Sequence, residues 1–323
     1  MNTAQVRTRS PRRCRIGLLL TVLLVTATTP LAGQEGILSS PEEVARGTAF
    51  RVLSSVAGQV RLATREGTRI AETRAFPLRV TRDREVAVAL LGAPSTIAPG
   101  EYELLLLDDA GNELDRRGIR LGDREFQRQR IALNRSLTEL RATPDPEKVA
   151  EARELITLVA QVNPGAIYGD GSFELPVEDF RRTSRYGDRR TYSYSDGERA
   201  NAIHFGVDLA APTGTPVRAS APGVVAFAGD RIVTGGSVVV EHLPGVYGLY
   251  YHLDSRSVEV GDRVARGGVL GTVGATGLAT GPHLHWEIRV AGVPVDPERL
   301  LAGVLLDRAT IYQDILETVQ EGR

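Results

Sequence analysis

Cysteine is almost absent from the chain, and the single one, Cys14, lies among the first fifteen of 323 residues. One cysteine cannot form an intramolecular disulfide, and it cannot build a zinc site that depends on several thiolates. Lysine is equally scarce, since Lys148 is the only lysine among 39 basic residues. The most apolar run, residues 16–25, is shorter than the roughly 20 residues that span a bilayer. A disulfide-stapled domain and a polytopic membrane protein are therefore excluded.

The charge of the chain is unevenly distributed. The formal net charge is −1, but five arginines lie within the first fifteen residues, and without them 34 basic residues face 40 acidic ones. Sequence-independent binding of nucleic acid depends on a basic surface. We therefore expect no nucleic-acid partner.

The first 33 residues have the order of a signal peptide. The arginine-rich start precedes the apolar run of residues 16–25, and small residues follow up to Gly33. We predict a signal peptide at 1–33 and an exported protein of the periplasm or cell envelope. The alternative is an uncleaved N-terminal anchor, which is the only way in which we expect the chain to contact a membrane.

The remaining sequence divides into three regions, which together predict a mainly β protein. Residues 37–123 contain short β-forming runs separated by turn clusters and predict a small, immunoglobulin-like β-sandwich. Residues 128–163 change to a helical period, with Asp145 as the expected cap and Pro146 at the first helical position, and predict a helical connector. Residues 172–300 return to short β-runs, and a helix is expected within 301–323.

Histidine is confined to one part of the chain. All five histidines lie between His204 and His285, a span of 82 residues. His204 and Asp208 are four residues apart in HFGVD, and His283 and His285 are two apart in GPHLHWEI. Successive side chains of a strand alternate between its faces, so His283 and His285 project to the same side. Imidazole and carboxylate donors with one open position are typical of a catalytic zinc site.

Three separated segments carry a family resemblance. HFGVDLAAPTGTPVRASAPGVVAFAG, VVVEHLPGVYGLYYHL and VEVGDRVARGGVLGTVGATGLATGPHLHWEIRV follow one another in the chain. Together they resemble the catalytic domain of the lysostaphin/LytM family of zinc endopeptidases, which cleave peptidoglycan peptides. The resemblance covers roughly residues 180–298, and it implies a small antiparallel β-fold with an open groove and one zinc ion per chain.

The resemblance also implies a role for individual residues. It assigns His204, Asp208 and His285 as zinc ligands, and His283 and His252 as catalytic histidines that do not bind the metal. Two imidazoles near the metal can divide proton transfer and stabilisation of the oxyanion, and the spacing leaves their roles interchangeable. His242 is expected to be structural or surface-exposed. Glu287 either orients an imidazole or is a solvated strand carboxylate.

The expected function is hydrolysis of peptide bonds in peptidoglycan stem or cross-link peptides. One alternative is a catalytically inactive protein of the same fold that binds the wall or activates an amidase. A lipoyl or biotin carrier is disfavoured, because the only lysine lies in the connector. The arginines of residues 180–190 form either a solvated loop or a basic patch that attracts the carboxylates of a stem peptide or covers the groove.

Overall fold

The computed structural model describes residues 36–321, with side chains up to residue 317. The predicted signal peptide at 1–33 lies outside this range. Across residues 36–321, no helix combines the length and the apolar character that crossing a membrane requires. The described chain is mainly β with mostly antiparallel sheets, as the sequence predicts; two strand pairs are parallel.

Residues 37–122 form two sheets packed face to face. The four-stranded sheet has the order β1–β3–β7–β6 and consists of Ile37–Ser39, Ala49–Ser54, Glu85–Gly92 and Phe76–Arg79. The five-stranded sheet has the order β2–β9–β8–β4–β5 and consists of Glu43–Ala45, Glu113–Gly122, Gly100–Leu107, Gln59–Ala63 and Arg69–Arg74. Val52, Leu62 and Leu104 are fully buried in the cluster between these sheets. These nine short strands agree with the β-forming runs expected over residues 37–123, and the shortest, β1, β2 and β6, have three or four residues each.

The connector is only partly helical, so the prediction for its first residues is wrong. Residues Arg128–Ala132 form a strand, β10, and the helices α1 and α2 are Arg135–Ala142 and Pro146–Val159. Asp145 caps α2, since its side chain accepts a hydrogen bond from the backbone N–H of Glu147. Strand β10 alternates between exposed and partly buried residues with a period of two, and pairing with a distant strand decides its conformation.

The C-terminal part is built around one large sheet. Ten strands form it: β11 (Arg181–Ser184), β14 (Val207–Ala210), β15 (Pro216–Arg218), β16 (Gly223–Arg231), β17 (Gly235–Leu243), β18 (Val246–Arg256), β19 (Arg263–Val264), β20 (Val269–Val273), β21 (Leu284–Val290) and β22 (Val293–Val295). Strands β12 (Arg189–Ser193) and β13 (Arg199–Ile203) form a hairpin that joins β10 in a separate three-stranded sheet. A 3₁₀ helix, Pro297–Ala302, and helix α3, Arg308–Glu321, end the described chain.

The front half of the chain (residues 37–122) and the back half (residues 172–321) share a hydrophobic core. Leu53, Phe76 and Val88 of the four-stranded sheet belong to the same buried cluster as Trp286 of the ten-stranded sheet and Ile311 of α3. The division into a sandwich at 37–123, a connector at 128–163, a peptidase domain at 172–300 and a helix at 301–323 stays a proposal, because the sandwich, the peptidase segment and the final helix share one core. The connector packs separately, since Val159 of α2 lies in a cluster with β17 and β18.

Candidate metal centre

Two neighbouring strands bring the three predicted metal ligands together. His204 follows β13, Asp208 lies in β14 and His285 lies in β21, directly opposite Asp208 in the antiparallel register. The backbone between the first two must approach β21 closely at Gly206. A Cβ atom there would lie 2.4 Å from the carbonyl oxygen of Trp286 and 2.7 Å from Nε2 of His285. The glycine of HFGVD is therefore required by the packing of the site.

The three ligand atoms converge on one point. His204 Nε2 lies 2.9 Å from His285 Nδ1, and each of these nitrogens lies 3.0 Å from Oδ1 of Asp208. All three side chains are buried or nearly so, with 2% to 11% of their surface exposed. Among the described residues, they form the group of histidine and carboxylate side chains whose geometry could hold a metal ion.

The hydrogen bonds of the two imidazoles test whether a cation fits. His204 Nδ1 lies 3.0 Å from the carbonyl oxygen of Arg185, to which it donates, so Nε2 carries a lone pair. His285 Nε2 lies 3.3 Å from Oε2 of Glu287, and donation to this carboxylate leaves a lone pair on Nδ1. Two nitrogen lone pairs and a carboxylate oxygen then face one another. Such a donor set repels itself unless a cation lies between its members, and nitrogen and oxygen donors suit a transition metal such as zinc.

The electrostatics of the group favour a positive charge. Burial alone would lower the pKa of His285, but hydrogen bonds to Asp208 and Glu287 outweigh it and raise this pKa to about 9. Burial would raise the pKa of Asp208, yet the adjacent His204 and His285 hold it well below its usual value. A proton and a metal ion thus compete for the same nitrogen of His285.

A second layer of contacts fixes the ring of His285. Glu287 is 4% exposed and accepts a hydrogen bond of 2.6 Å from Nε of Arg289. The ring of Tyr251 stacks on the ring of His285, with 5.4 Å between centroids and an interplanar angle of 8°. Of the two interpretations of Glu287, the buried contact to His285 favours the orienting one. The role of Tyr251 was not expected, because the sequence does not reveal which ring stacks across two strands.

Arg190 contacts Asp208, a contact that was not expected from the sequence. Its guanidinium group forms an ion pair with Oδ2 of Asp208, the oxygen that does not face the histidines. Its Nε donates to Oε1 of Gln129 at 3.0 Å, and the hydroxyl of Ser184 donates to the same oxygen at 3.0 Å. No local sequence signal could have identified this partner, because Arg190 of β12 and Asp208 of β14 belong to different sheets.

The two predicted catalytic histidines lie beside this group. His252 Nδ1 and His283 Nδ1 donate to the carbonyl oxygens of Thr276 and Gly281, both at 2.8 Å, which leaves their Nε2 atoms as acceptors. The ring centroids of the two histidines are 4.7 Å apart, and His283 Nε2 lies 3.7 Å from Oδ1 of Asp208. Burial, together with the charges of His283 and His285, lowers the pKa of His252 to about 3.

The backbone at His252 is unusual for a residue with a side chain. Its φ angle is 63°, within the left-handed region, and its N–H donates to the carbonyl oxygen of Thr234 at 2.9 Å. A non-glycine residue in this region costs energy and persists where the surroundings enforce it. The backbone conformation therefore helps to direct the imidazole of His252 towards that of His283.

His242 lies outside the group and is structural. It is 1% exposed, and its Nδ1 lies 2.9 Å from the carbonyl oxygen of Pro222. Its ring packs edge-on against Phe173, with 5.5 Å between centroids. Burial lowers the pKa of His242 to about 4. The structural interpretation of this histidine agrees with these contacts.

Comparisons with known proteins match mainly the segment that carries these residues. Residues 202–297 match the family model for Peptidase family M23. DD-carboxypeptidase/endopeptidase Mpg of Neisseria meningitidis is 52% identical over 95 residues, which are 29% of this chain and 22% of that protein. Peptidoglycan DD-endopeptidase ShyC of Vibrio cholerae is 39% identical over 120 residues, which are 37% of this chain and 27% of that protein. The alignments thus span only about a quarter of these relatives' length.

One solved structure matches over most of the chain. A Pseudomonas aeruginosa protein assigned to peptidase M23 is 26% identical, with a TM-score of 0.55, and the match covers 82% of this chain and 96% of that one. The likeness therefore extends beyond residues 202–297 into the front half.

Proposed function

Because residues 202–297 form a domain of peptidase family M23, we propose that the protein is a zinc-dependent endopeptidase of the periplasm or cell envelope. Its substrates are the stem or cross-link peptides of peptidoglycan, and it holds one zinc ion per chain. The observation that carries the proposal is the convergence of three lone-pair donors, from His204, Asp208 and His285, in a buried group. The names of the relatives from Neisseria and Vibrio support the substrate class.

The proposed ligands are His204 Nε2, Asp208 Oδ1 and His285 Nδ1. When bound, zinc supplies a Lewis acid that polarises the scissile carbonyl group and lowers the pKa of water to about 7. Arg190 and Glu287 hold Asp208 and His285 in place, so the donor atoms need little rearrangement.

His252 and His283 do the proton chemistry in this proposal. Each presents Nε2 as an acceptor beside the ligand group and can take a proton from water. The protonated ring can then give this proton to the leaving amine or stabilise the negative charge that develops on the carbonyl oxygen. Both rings have the same hydrogen-bond pattern at Nδ1, so these hydrogen bonds leave Nε2 free for proton transfer in each of them.

The proposal is tested by metal analysis and hydrolysis on one purified protein. We expect about one zinc per chain, with most of it lost in His204→Ala and in Asp208→Ala but retained in the control His242→Gln. Purified peptidoglycan is then digested before chelation, after chelation and after zinc is restored. Mass spectrometry of two muropeptides, one with a D-alanyl–diaminopimelate bond and one with a glycine bridge, identifies the bond that is cleaved.

Two results would overturn parts of the proposal. Wild-type zinc content in both ligand variants would contradict the ligand assignment. A folded, zinc-loaded protein that leaves peptidoglycan and both muropeptides intact would instead support the inactive wall-binding or amidase-activating alternative.

A further inference from the structure

The three-stranded sheet of β10, β12 and β13 lines a cavity of about 680 Å³ whose charge is strongly positive. Four arginines line it, Arg128, Arg130, Arg189 and Arg190, and none of its nine lining residues is acidic. We call this site the arginine cavity. Its volume lies within the range of small-ligand pockets, which is about 300–1,000 Å³.

Two of these guanidinium groups are available to a ligand. Arg128 and Arg130 are exposed, and within residues 36–321 no side-chain hydrogen bond or ion pair engages them. Many arginines elsewhere in the described chain pair with carboxylates, for example Arg116 with Glu103 and Glu113. Two adjacent positive charges without counter-charges repel each other, and an anionic ligand removes that repulsion.

Arg189 adds a third polar group that lacks a full set of partners. Its Nη2 donates to the carbonyl oxygen of Ser95 at 2.7 Å, whereas its Nη1 is buried without a hydrogen-bond partner. A buried guanidinium nitrogen without an acceptor is costly. The positive charge of Arg189 adds to those of Arg128 and Arg130 at the wall of the cavity.

The cavity adjoins the candidate metal centre. Arg190 lines the cavity, and its guanidinium group is paired with Asp208. One side chain therefore connects the two sites. A peptide that extends from the metal centre can reach the cavity with a residue a short distance from the scissile bond.

We propose that the arginine cavity binds free carboxylates of the substrate peptide and so selects acidic stem peptides. This inference rests on the proposed function, since it takes the ligand to be the substrate. The planar fork of arginine matches a carboxylate through two parallel hydrogen bonds. Arg128 and Arg130 provide two such forks, so a peptide with two free carboxylates is the best match. A phosphate group shares this chemistry and is one outcome of the test.

The test compares two double variants with the same change in charge. Arg128→Gln/Arg130→Gln removes the free charges of the cavity, and Arg65→Gln/Arg82→Gln removes two exposed arginines from the front half as the control. The ligands are a stem peptide with free carboxylates and the same peptide with its carboxylates amidated. Affinity is measured by titration calorimetry with hydrolysis-resistant versions of both peptides, and kcat and KM are measured with the cleavable ones.

We expect the cavity variant to bind the free-carboxylate peptide at least tenfold more weakly than wild type. Its KM for that peptide should rise by a similar factor with kcat within twofold, and the amidated peptide should bind wild type and both double variants alike. The control should bind like wild type. Equal affinity of the cavity variant and wild type for the free-carboxylate peptide would overturn the inference.

Two further outcomes separate this inference from others. If inorganic phosphate displaces the peptide and wild type does not distinguish its free and amidated forms, the cavity is a phosphate site and the inference is wrong. If wild type binds the free-carboxylate peptide through Arg128 and Arg130 but cleaves nothing, the proposed function fails while the cavity assignment stands.

Discussion

The histidines of the site differ in what surrounds their Nε2 and Nδ1 atoms. His204 and His285 direct a lone pair towards Asp208 at 3.0 Å, whereas His283 Nε2 is 3.7 Å away from the same oxygen. A ligand and a proton-transfer group should therefore respond differently when they are removed.

Replacement of His283 or His252 by alanine is predicted to stop catalysis without removing the metal. We expect zinc content to stay near one per chain while turnover falls about 100-fold or more, the scale of a lost proton-transfer group. Metal analysis and hydrolysis of a soluble muropeptide check this. Loss of zinc from His252→Ala, with zinc retained in His204→Ala, would show that ligand and catalyst have been exchanged.

His242 predicts a pH dependence of stability that is independent of the metal. Its pKa of about 4 in the folded protein lies below the 6.5 of an exposed histidine, so the unfolded chain binds a proton first as pH falls. The stability that this histidine contributes is fully present above pH 6.5 and is lost between about pH 6.5 and pH 4, by about 3 kcal/mol in all.

We expect the free energy of unfolding of His242→Gln to fall less than that of wild type as the pH is lowered from 7 to 4. Glutamine retains an N–H that can donate to Pro222 but does not titrate. Urea unfolding at several pH values between 7 and 4, on wild type and variant under the same metal conditions, measures the difference. Parallel pH profiles for the two proteins would contradict the low pKa of His242.

For individual residues, the sequence predicted those features of the site that depend on the spacing of residues along the chain. The strand alternation around His285 held, since His283 and His285 both face Oδ1 of Asp208, at 3.7 Å and 3.0 Å. The family resemblance of three motifs agrees with the match of residues 202–297 to the M23 family model. Arg190 and Tyr251 were not foreseen, because their contacts to Asp208 and His285 join side chains from different strands. The roles assigned to the five site residues stay predictions.

The strands explain how Arg190 reaches the site. Strand β12 pairs with β13 on one side and in parallel with β10 on the other, and Gln129 of β10 accepts a hydrogen bond from Arg190. A helix was expected at 128–132, because residues 128–163 were assigned to one segment with a helical period. Five residues with an alternating pattern are too few to predict a strand whose partner lies about sixty residues further along the chain.

Arg190→Gln is predicted to weaken zinc binding. It removes the charge that holds Oδ2 of Asp208, and loss of such an outer contact typically costs 10-fold to 100-fold in metal affinity. Competition with a zinc-binding dye measures the affinity. Arg199→Gln, an exposed arginine on the neighbouring β13, is the control and should bind zinc like wild type. Unchanged affinity in Arg190→Gln would limit this ion pair to a role in packing.

The molecule as a whole depends on contact between its two halves. At Gly92 of β7, a Cβ atom would lie 2.9 Å from Cβ of Val293 at the start of β22. The backbone N–H of Asp296 donates to the carbonyl oxygen of Gly47 at 2.8 Å, and Arg124 forms an ion pair with Asp296 at 2.5 Å. These contacts make the front sandwich a structural support for the sheet that carries Asp208 and His285.

Gly92→Ala is therefore predicted to destabilise the whole chain, by about 1–3 kcal/mol, because the two halves must move apart. Gly118→Ala is the matched control: it lies in the same sandwich, on β9, with nothing within 4 Å of the added Cβ atom. Chemical unfolding of both variants provides the comparison. If they are equally stable, the close approach at Gly92 does not limit packing.

The sequence predicted the β-rich composition of both halves but not their shared core. A period of two identifies the apolar face of a strand such as β7, whereas it does not indicate which sheet covers that face. Leu90 and Leu91 are both buried, one in the shared core and the other inside the sandwich. Only the tertiary fold reveals that β7 is covered on both sides.

Helix α3 determines when the shared core can be completed during synthesis of the chain. Ile311 and Ile315 complete the core that contains Leu53, and Asp314 pairs with Arg51 at 2.6 Å across 263 positions of sequence. A growing chain exposes its N-terminal segments first, and domains usually fold as they emerge. Part of the apolar face of the front sandwich therefore stays uncovered until α3 has been synthesised, since Asp314 follows Arg51 by 263 positions. The strands that carry Asp208 and His285 are synthesised before α3, so their core is completed only when this helix packs against it.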